Sequence, residues 1–207
     1  MSMLSLILKR LADMAKVRHD EIIPECNIDT NLVETLLKMI NLERYNYDEY
    51  IVQHSHGIGE VTRTMQTARN LKDSFALGVV DDDPKVPNYK KEFRELAQSP
   101  HLKLLKHPEK DHYLLVVSKA METLINASAH GQGINPSDYG FPENTKDYKS
   151  TTKDESSRSN PNYKNLFKKL SGSGEICLMK NLLDKLVNER DGLSEDDLKQ
   201  VFKDIGY

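Results

Sequence analysis

"HYLLVVSKAMETLINASAHG", residues His112–Gly131, is the strongest apolar segment of the chain, and it admits two readings. Leu114, Val117, Met121, Leu124 and Ile125 recur at helical spacing, which predicts one amphipathic helix stopped by Gly131. Within it, "YLLVV" is also the length of a buried strand, and a short apolar run does not distinguish the two by period alone. The helix is the primary expectation here, with a minor β element near 112–117 as the alternative.

The flanking segments favour helices as well. Ser2 can cap a first helix through Leu4, Leu8, Leu11 and Met14, ending before "IIPECNIDT", where Pro24 and Asn27 punctuate the chain. A second helix is expected over 31–44 through Leu32, Leu36, Met39 and Ile40. A third is expected from Ile58 to Phe75 through Val61, Met65, Ala68 and Leu71. "GVVDDDPKVP" reads as a break, followed by short helices near 88–98 and 101–106. From Gly131 to Asn160 the composition turns to Gly, Pro, Ser, Thr and Asn, as in a long loop or linker. Asn160-Pro161 then opens a helix with Tyr163, Leu166, Phe167 and Leu170. Glu175–Glu189 forms another, and Ser194 caps a last one through Leu198, Val201, Phe202 and Ile205. The expected fold is therefore mostly α, an irregular multi-helix bundle. Residues 1–130 form its main body, 131–160 a polar loop and 161–207 a C-terminal helical unit.

Bulk composition narrows the function. The 207 residues suffice for a core without staples. Hydrophobic content is 38% and aromatic content 7%, with no Trp, so the core rests on Leu, Ile, Val and Met. With 29 basic and 32 acidic side chains the net charge is −3, the wrong sign for general phosphate neutralisation, so general nucleic-acid binding is not expected. Cys26 and Cys177 are isolated, forming neither a disulfide framework nor a CxxC site. No stretch reaches the 18 or more apolar residues of a membrane span, and the N-terminal apolar run is too short for a signal peptide. A cytoplasmic location is the expectation.

"QHSHGIGE", Gln53–Glu60, is the most suggestive polar stretch. His54 and His56 share a face if extended, which suits one borderline metal ion. With His107 and His112, and His101 nearby, they would form a histidine-metal site. By size such a chain resembles a helical phosphohydrolase of the His-Asp type. It departs from that pattern because its only His-Asp dipeptide, His19-Asp20, has no upstream histidine. Gly57 and Gly59 lack both the third glycine of a dinucleotide fingerprint and the Gly-Lys-Ser/Thr of a P-loop, so they read as the entry to a helix. "DDDPKVPNYKKE", Asp81–Glu92, places acids at calcium-loop positions 1, 3 and 12. Lys85 at position 5 and Val86 at position 6 argue against that loop.

No catalytic grammar emerges, and no cofactor is expected. The remaining reading is a non-enzymatic interaction subunit, an adaptor or chaperone-like component of a heteromeric protein complex. Leu166, Phe167, Met179, Leu183, Leu198 and Phe202 are its candidate partner-binding residues. In size, slight acidity and helical content the chain is similar to small adaptors and chaperones of bacterial secretion systems. That likeness is one of composition. The alternative is the histidine-metal phosphohydrolase.

Overall fold

The structure, a computed structural model, describes residues 20–40, 50–52, 54–67, 74–84, 86–144, 146–147, 151–172, 174–189 and 192–207. In chain order these form β1 (Asp20–Pro24), α1 (Asn27–Leu37), β2 (Tyr50–Val52), α2 (Ile58–Thr67), β3 (Ala76–Asp81), β4 (Arg94–Gln98), β5 (Leu102–Lys106) and β6 (His112–Val117). Then follow α3 (Met121–Gly131), α4 (Pro161–Leu170), α5 (Gly174–Asn188) and α6 (Glu195–Asp204). The strands make one mixed sheet in the order β2-β1-β3-β6-β5-β4. The first four run parallel, and β5 and β4 return antiparallel as a hairpin.

The mostly α expectation is thus corrected: the chain is an α/β protein and not all-α. The strand alternative holds for "HYLLVV", all six of whose residues are buried. A strand covered on both faces loses the alternation that marks a half-exposed one. The same holds for β3, "ALGVVD", which had read as the end of one helix followed by a break. "DEIIP" is β1 rather than a gap between helices. The short helices expected near 88–98 and 101–106 are instead the β4–β5 hairpin, with one 3-10 turn at Tyr89–Glu92. The helices over 161–170, 174–188 and 195–204 stand close to where their periodicity and caps put them. The helix expected from Ser2, and Ala68 and Leu71 of the third expected helix, lie outside the described residues.

Side-chain alternation along the strands divides the core in two. Ile22, Leu77, Val79, Tyr113, Leu115 and Val117 face a large cluster built with α1 and α3–α6. Ile23, Ala76, Val80, Leu114 and Val116 face a smaller one with Ile58, Val61 and Met65 of α2 and with Tyr89. Among the described residues the sheet is the middle of three layers, with five helices on one face and one on the other. α2 comes so close to β3 that a Cβ on Gly78 would stand 2.6 Å from Leu114 Cδ2 and 2.8 Å from Val61 Cγ1.

Strand order fixes where a site can form. The chain steps from β1 outward to β2, then crosses back over β1 to β3. The two connecting helices pack on opposite faces, so the carboxyl ends of β1 and β3 are left uncovered between them. In open α/β sheets this reversal point is where ligands bind. The polar segment after α3 crosses the neighbouring helix. It contains 3-10 turns at Pro136–Tyr139 and Glu155–Arg158, and Asn31 Nδ2 donates to the Ser157 carbonyl at 2.7 Å. Asn27 Nδ2 likewise donates to the Lys153 carbonyl at 3.0 Å, which holds Lys153 beside the start of α1. Among the described residues no helix is long and apolar enough to cross a membrane.

Candidate functional site

Acidic residues collect at the carboxyl edge of β1 and β3. Glu25 immediately follows β1, Asp29 lies in the first turn of α1, Asp81 ends β3 and Glu122 opens α3. Each is placed by backbone as well as by packing. Glu25 Oε2 accepts from the Asp81 N–H at 2.9 Å, joining the two strand ends. The Ile58 N–H, at the N-terminus of α2, also favours the charged form of Glu25. Asp81 Oδ1 accepts from the Met121 N–H, at the N-terminus of α3, at 3.1 Å. Asp29 Oδ2 accepts from the Cys26 N–H at 3.1 Å and so caps α1. Thr152 Oγ1 donates to Glu122 Oε1.

The carboxylates feel one another. Burial raises the pKa of Asp81 to about 7, with Glu25 and Glu122 adding to the rise, against the Met121 N–H and Lys153. Asp29 is also raised, first by burial and then by Asp81, with Glu25 and Glu122 contributing in the same direction. Glu25 is raised by burial, with Asp83 adding and the Asp81 and Ile58 amides and Lys153 opposing. Burial and then Asp29 push the Cys26 thiol up, so it is no nucleophile at neutral pH.

Asp29 is the decisive member. It is 1% exposed, and while Oδ2 serves as the cap, Oδ1 is buried without a hydrogen-bond partner. A buried unpartnered carboxylate oxygen costs several kcal/mol unless the group takes up a proton or meets a cation. Lys153 is the cation acting on Glu25 and Asp81, and its side chain is exposed. Burial and mutual repulsion thus favour the protonated acids in the ion-free protein, and a hard cation with oxygen ligands is the species that would offset their charge once ionised. Among the described residues no three His, Cys, Asp or Glu side chains are close enough to enclose an ion as a finished cage. An ion at this edge would therefore have at most two of these side chains as ligands, which suits Mg²⁺ better than Ca²⁺ or Zn²⁺. Mg²⁺ keeps several waters and takes one or two carboxylates, with substrate phosphates completing its shell.

The "QHSHGIGE" loop borders this edge. The Ser55 N–H donates to the Pro24 carbonyl at 3.0 Å and the Gly57 N–H to the Glu25 carbonyl at 3.4 Å. Gly57, at φ +93°, turns the chain into α2. His54 and His56 meet edge to face, ring centres 4.8 Å apart, and His54 Nδ1 lies 3.4 Å from Thr30 Oγ1. Burial lowers the pKa of His54, and His56 and Arg158 lower it further.

His107 and His112 are elsewhere. They flank the opposite edge of the sheet, where the Tyr89 hydroxyl is 2.7 Å from His112 Nδ1 and His107 Nε2 is 3.2 Å from Glu92. The four histidines are thus two pairs at opposite ends of the strands. His101 Nδ1 lies 2.5 Å from Glu175 Oε2 at the start of α5. Leu166, Phe167, Met179, Leu183, Leu198 and Phe202 are all buried in the larger core.

The carboxylates were missed as a set because their strands were missed. The available signal was an acid directly after a short aliphatic run, occurring twice, in "IIPE" and "GVVDDD". No family model, no curated protein and no solved structure matches the chain.

Proposed function

We propose that the protein is a divalent-cation-dependent enzyme acting on phosphate esters, with Glu25 and Asp29 holding a Mg²⁺-type ion and its water shell. The observation that carries this reading is the buried, unpartnered Oδ1 of Asp29 among three other carboxylates at the reversal point of the sheet. Such an ion neutralises phosphate charge and acidifies bound water. Around it the chain supplies the remaining parts. The N-termini of α2 and α3 open at the same edge, as anion sites do. Asp81, whose pKa burial raises to about 7 in the ion-free protein, is the carboxylate left to accept a proton. In hydrolysis, attacking water forms the new P–O bond and yields its proton to Asp81. The ester P–O bond breaks, and the leaving oxygen takes a proton from solvent. Free thiols at Cys26 and Cys177 accord with a reducing, cytoplasmic setting.

The test is calorimetric titration of Mn²⁺ into chelator-treated protein, followed by turnover of bis(p-nitrophenyl) phosphate. Saturable binding is expected, weakened at least ~10-fold in Asp29→Asn while the fold is kept, in line with the loss of one charged ligand contact. Absence of Mn²⁺ binding to the wild-type chain overturns the proposal and returns the protein to the non-enzymatic interaction subunit that its composition favours.

A further inference from the structure

The turn that joins β5 to β6, "HPEKD" at His107–Asp111, is built around one buried imidazole. His107 is 4% exposed, and its Nδ1 accepts from the Glu109 N–H at 3.1 Å and from the Lys110 N–H at 3.2 Å. A backbone amide can only donate, so that nitrogen carries no proton. The proton of the neutral ring is then on Nε2, which donates to Glu92 Oε2 at 3.2 Å. Both ring nitrogens are occupied, and only the neutral ring satisfies all three bonds.

The turn also covers its neighbours. Lys110, fixed through its amide, lays its ammonium over the Tyr89 ring, 4.9 Å from the centre, and donates to the Tyr89 hydroxyl at 3.2 Å. That hydroxyl lies 2.7 Å from Nδ1 of His112, which is fully buried. Burial and then Glu92 push the Tyr89 pKa up to about 12, so the hydroxyl stays neutral. The rings of Tyr89, Phe93 and His112 stand around His107 with centres 5.5, 5.3 and 6.3 Å away. Among the described residues the titratable and charged groups about the ring are therefore Glu92 and Tyr89 of the 3-10 turn, His112 of β6, and Glu109, Lys110 and Asp111 of the turn itself. Lys106, next to it in β5, stands instead over Tyr113. Of these groups Glu92 is the one that accepts from the ring, and its side chain is half exposed, so water screens the attraction.

We infer that His107 is a proton-operated latch: a second proton on its imidazole expels the Glu109 and Lys110 amides and opens the β5–β6 turn. A protonated Nδ1 sets a donor against two donors, and a buried amide left without an acceptor is costly. The cationic ring gains only an ion pair with a screened carboxylate, which is worth less than the two backbone bonds it loses. The open turn thus binds one proton more than the closed one, and a free imidazole takes up that proton at about pH 6.5. The latch is shut at neutral pH and loosens as pH falls below that value, by up to ~10-fold per pH unit. Opening lifts Lys110 from Tyr89 and lets water reach the Tyr89–His112 pair. The inference does not depend on the cation site at the other end of the strands.

Hydrogen exchange of the Glu109 and Lys110 amides, followed by NMR in the full chain, tests it. These two residues are read because global stability over the same range also follows the carboxylates at the other edge. Their protection factors, corrected for the intrinsic pH dependence of exchange, should fall at least ~10-fold between about pH 7.5 and about pH 5.5. The ring nitrogen shifts of His107 should show a bare Nδ1 at about pH 7.5. His107→Asn keeps an acceptor oxygen for the amides two and three residues on and cannot titrate, so its protection should be the same at both pH values. Protection that does not change with pH in the wild type overturns the inference, as does a neutral His107 ring whose proton is on Nδ1. An equal fall in His107→Asn overturns it too, by assigning the pH dependence to another group. The first two readouts are on the wild-type chain and decide the matter whether or not the variant folds.

Discussion

Asp81 binds its proton more readily in the folded chain than in the unfolded one. Burial, followed by Glu25 and Glu122, pushes its pKa up to about 7, against ~3.9 for an aspartate in an unfolded chain. The native state is thus favoured by protonation. The contribution is fully present below about pH 4 and is lost as pH rises through about 7. The metal-free protein should therefore lose thermal stability between about pH 5 and about pH 8, the reverse of ordinary acid lability. Asp81→Asn should flatten that slope. Equal slopes in the two metal-free proteins would show that Asp81 ionises as an ordinary carboxylate. At this scale the sequence was informative about residue types and silent about company. "DDDP" displayed its acids openly, but only the parallel pairing of β1 with β3 brings Asp81 beside Glu25.

Elements were readable where a local rule suffices. Asn160 Oδ1 accepts from the N–H groups of Asn162 and Tyr163 at 2.9 and 3.4 Å, and Pro161 follows at the first helical position. That is a side-chain cap and a pre-set φ, both visible in "SNPNY". Asn160→Ala should cost about 1 kcal/mol, read from the urea midpoint, and Asn160→Asp should cost less. A loss within error would mean that packing of Tyr163, Leu166 and Phe167 alone sets the start of α4. Strands were read poorly because their pattern is set by partners outside the segment. β6 is buried on both faces and shows no alternation, while "IIP" in β1 is too short for any period to declare itself. Helical spacing across 112–125 was a coincidence of apolar residues in two elements, β6 and α3.

Over the whole molecule, α4–α6 complete the sheet's larger core. Leu182, Leu183 and Leu186 of α5 close on Leu77, Leu104 and Leu115 of three strands around one small apolar gap. α4 packs on α1, and α6 against β4. Deleting residues 161–207 should therefore abolish cooperative unfolding and leave an aggregating chain, because several leucines of the sheet would face water. A soluble fragment with a sharp thermal transition would show that the sheet with α1–α3 stands alone. The sequence by itself determined the caps, the C-terminal helices and the absence of any long apolar run, because each depends on neighbours a few positions away. The tertiary structure alone decided the sheet, its strand order and the meeting of Glu25, Asp29, Asp81 and Glu122. Those depend on which strands pair across long separations, and pairing is chosen by how two-sided apolar strands are covered by helices far along the chain.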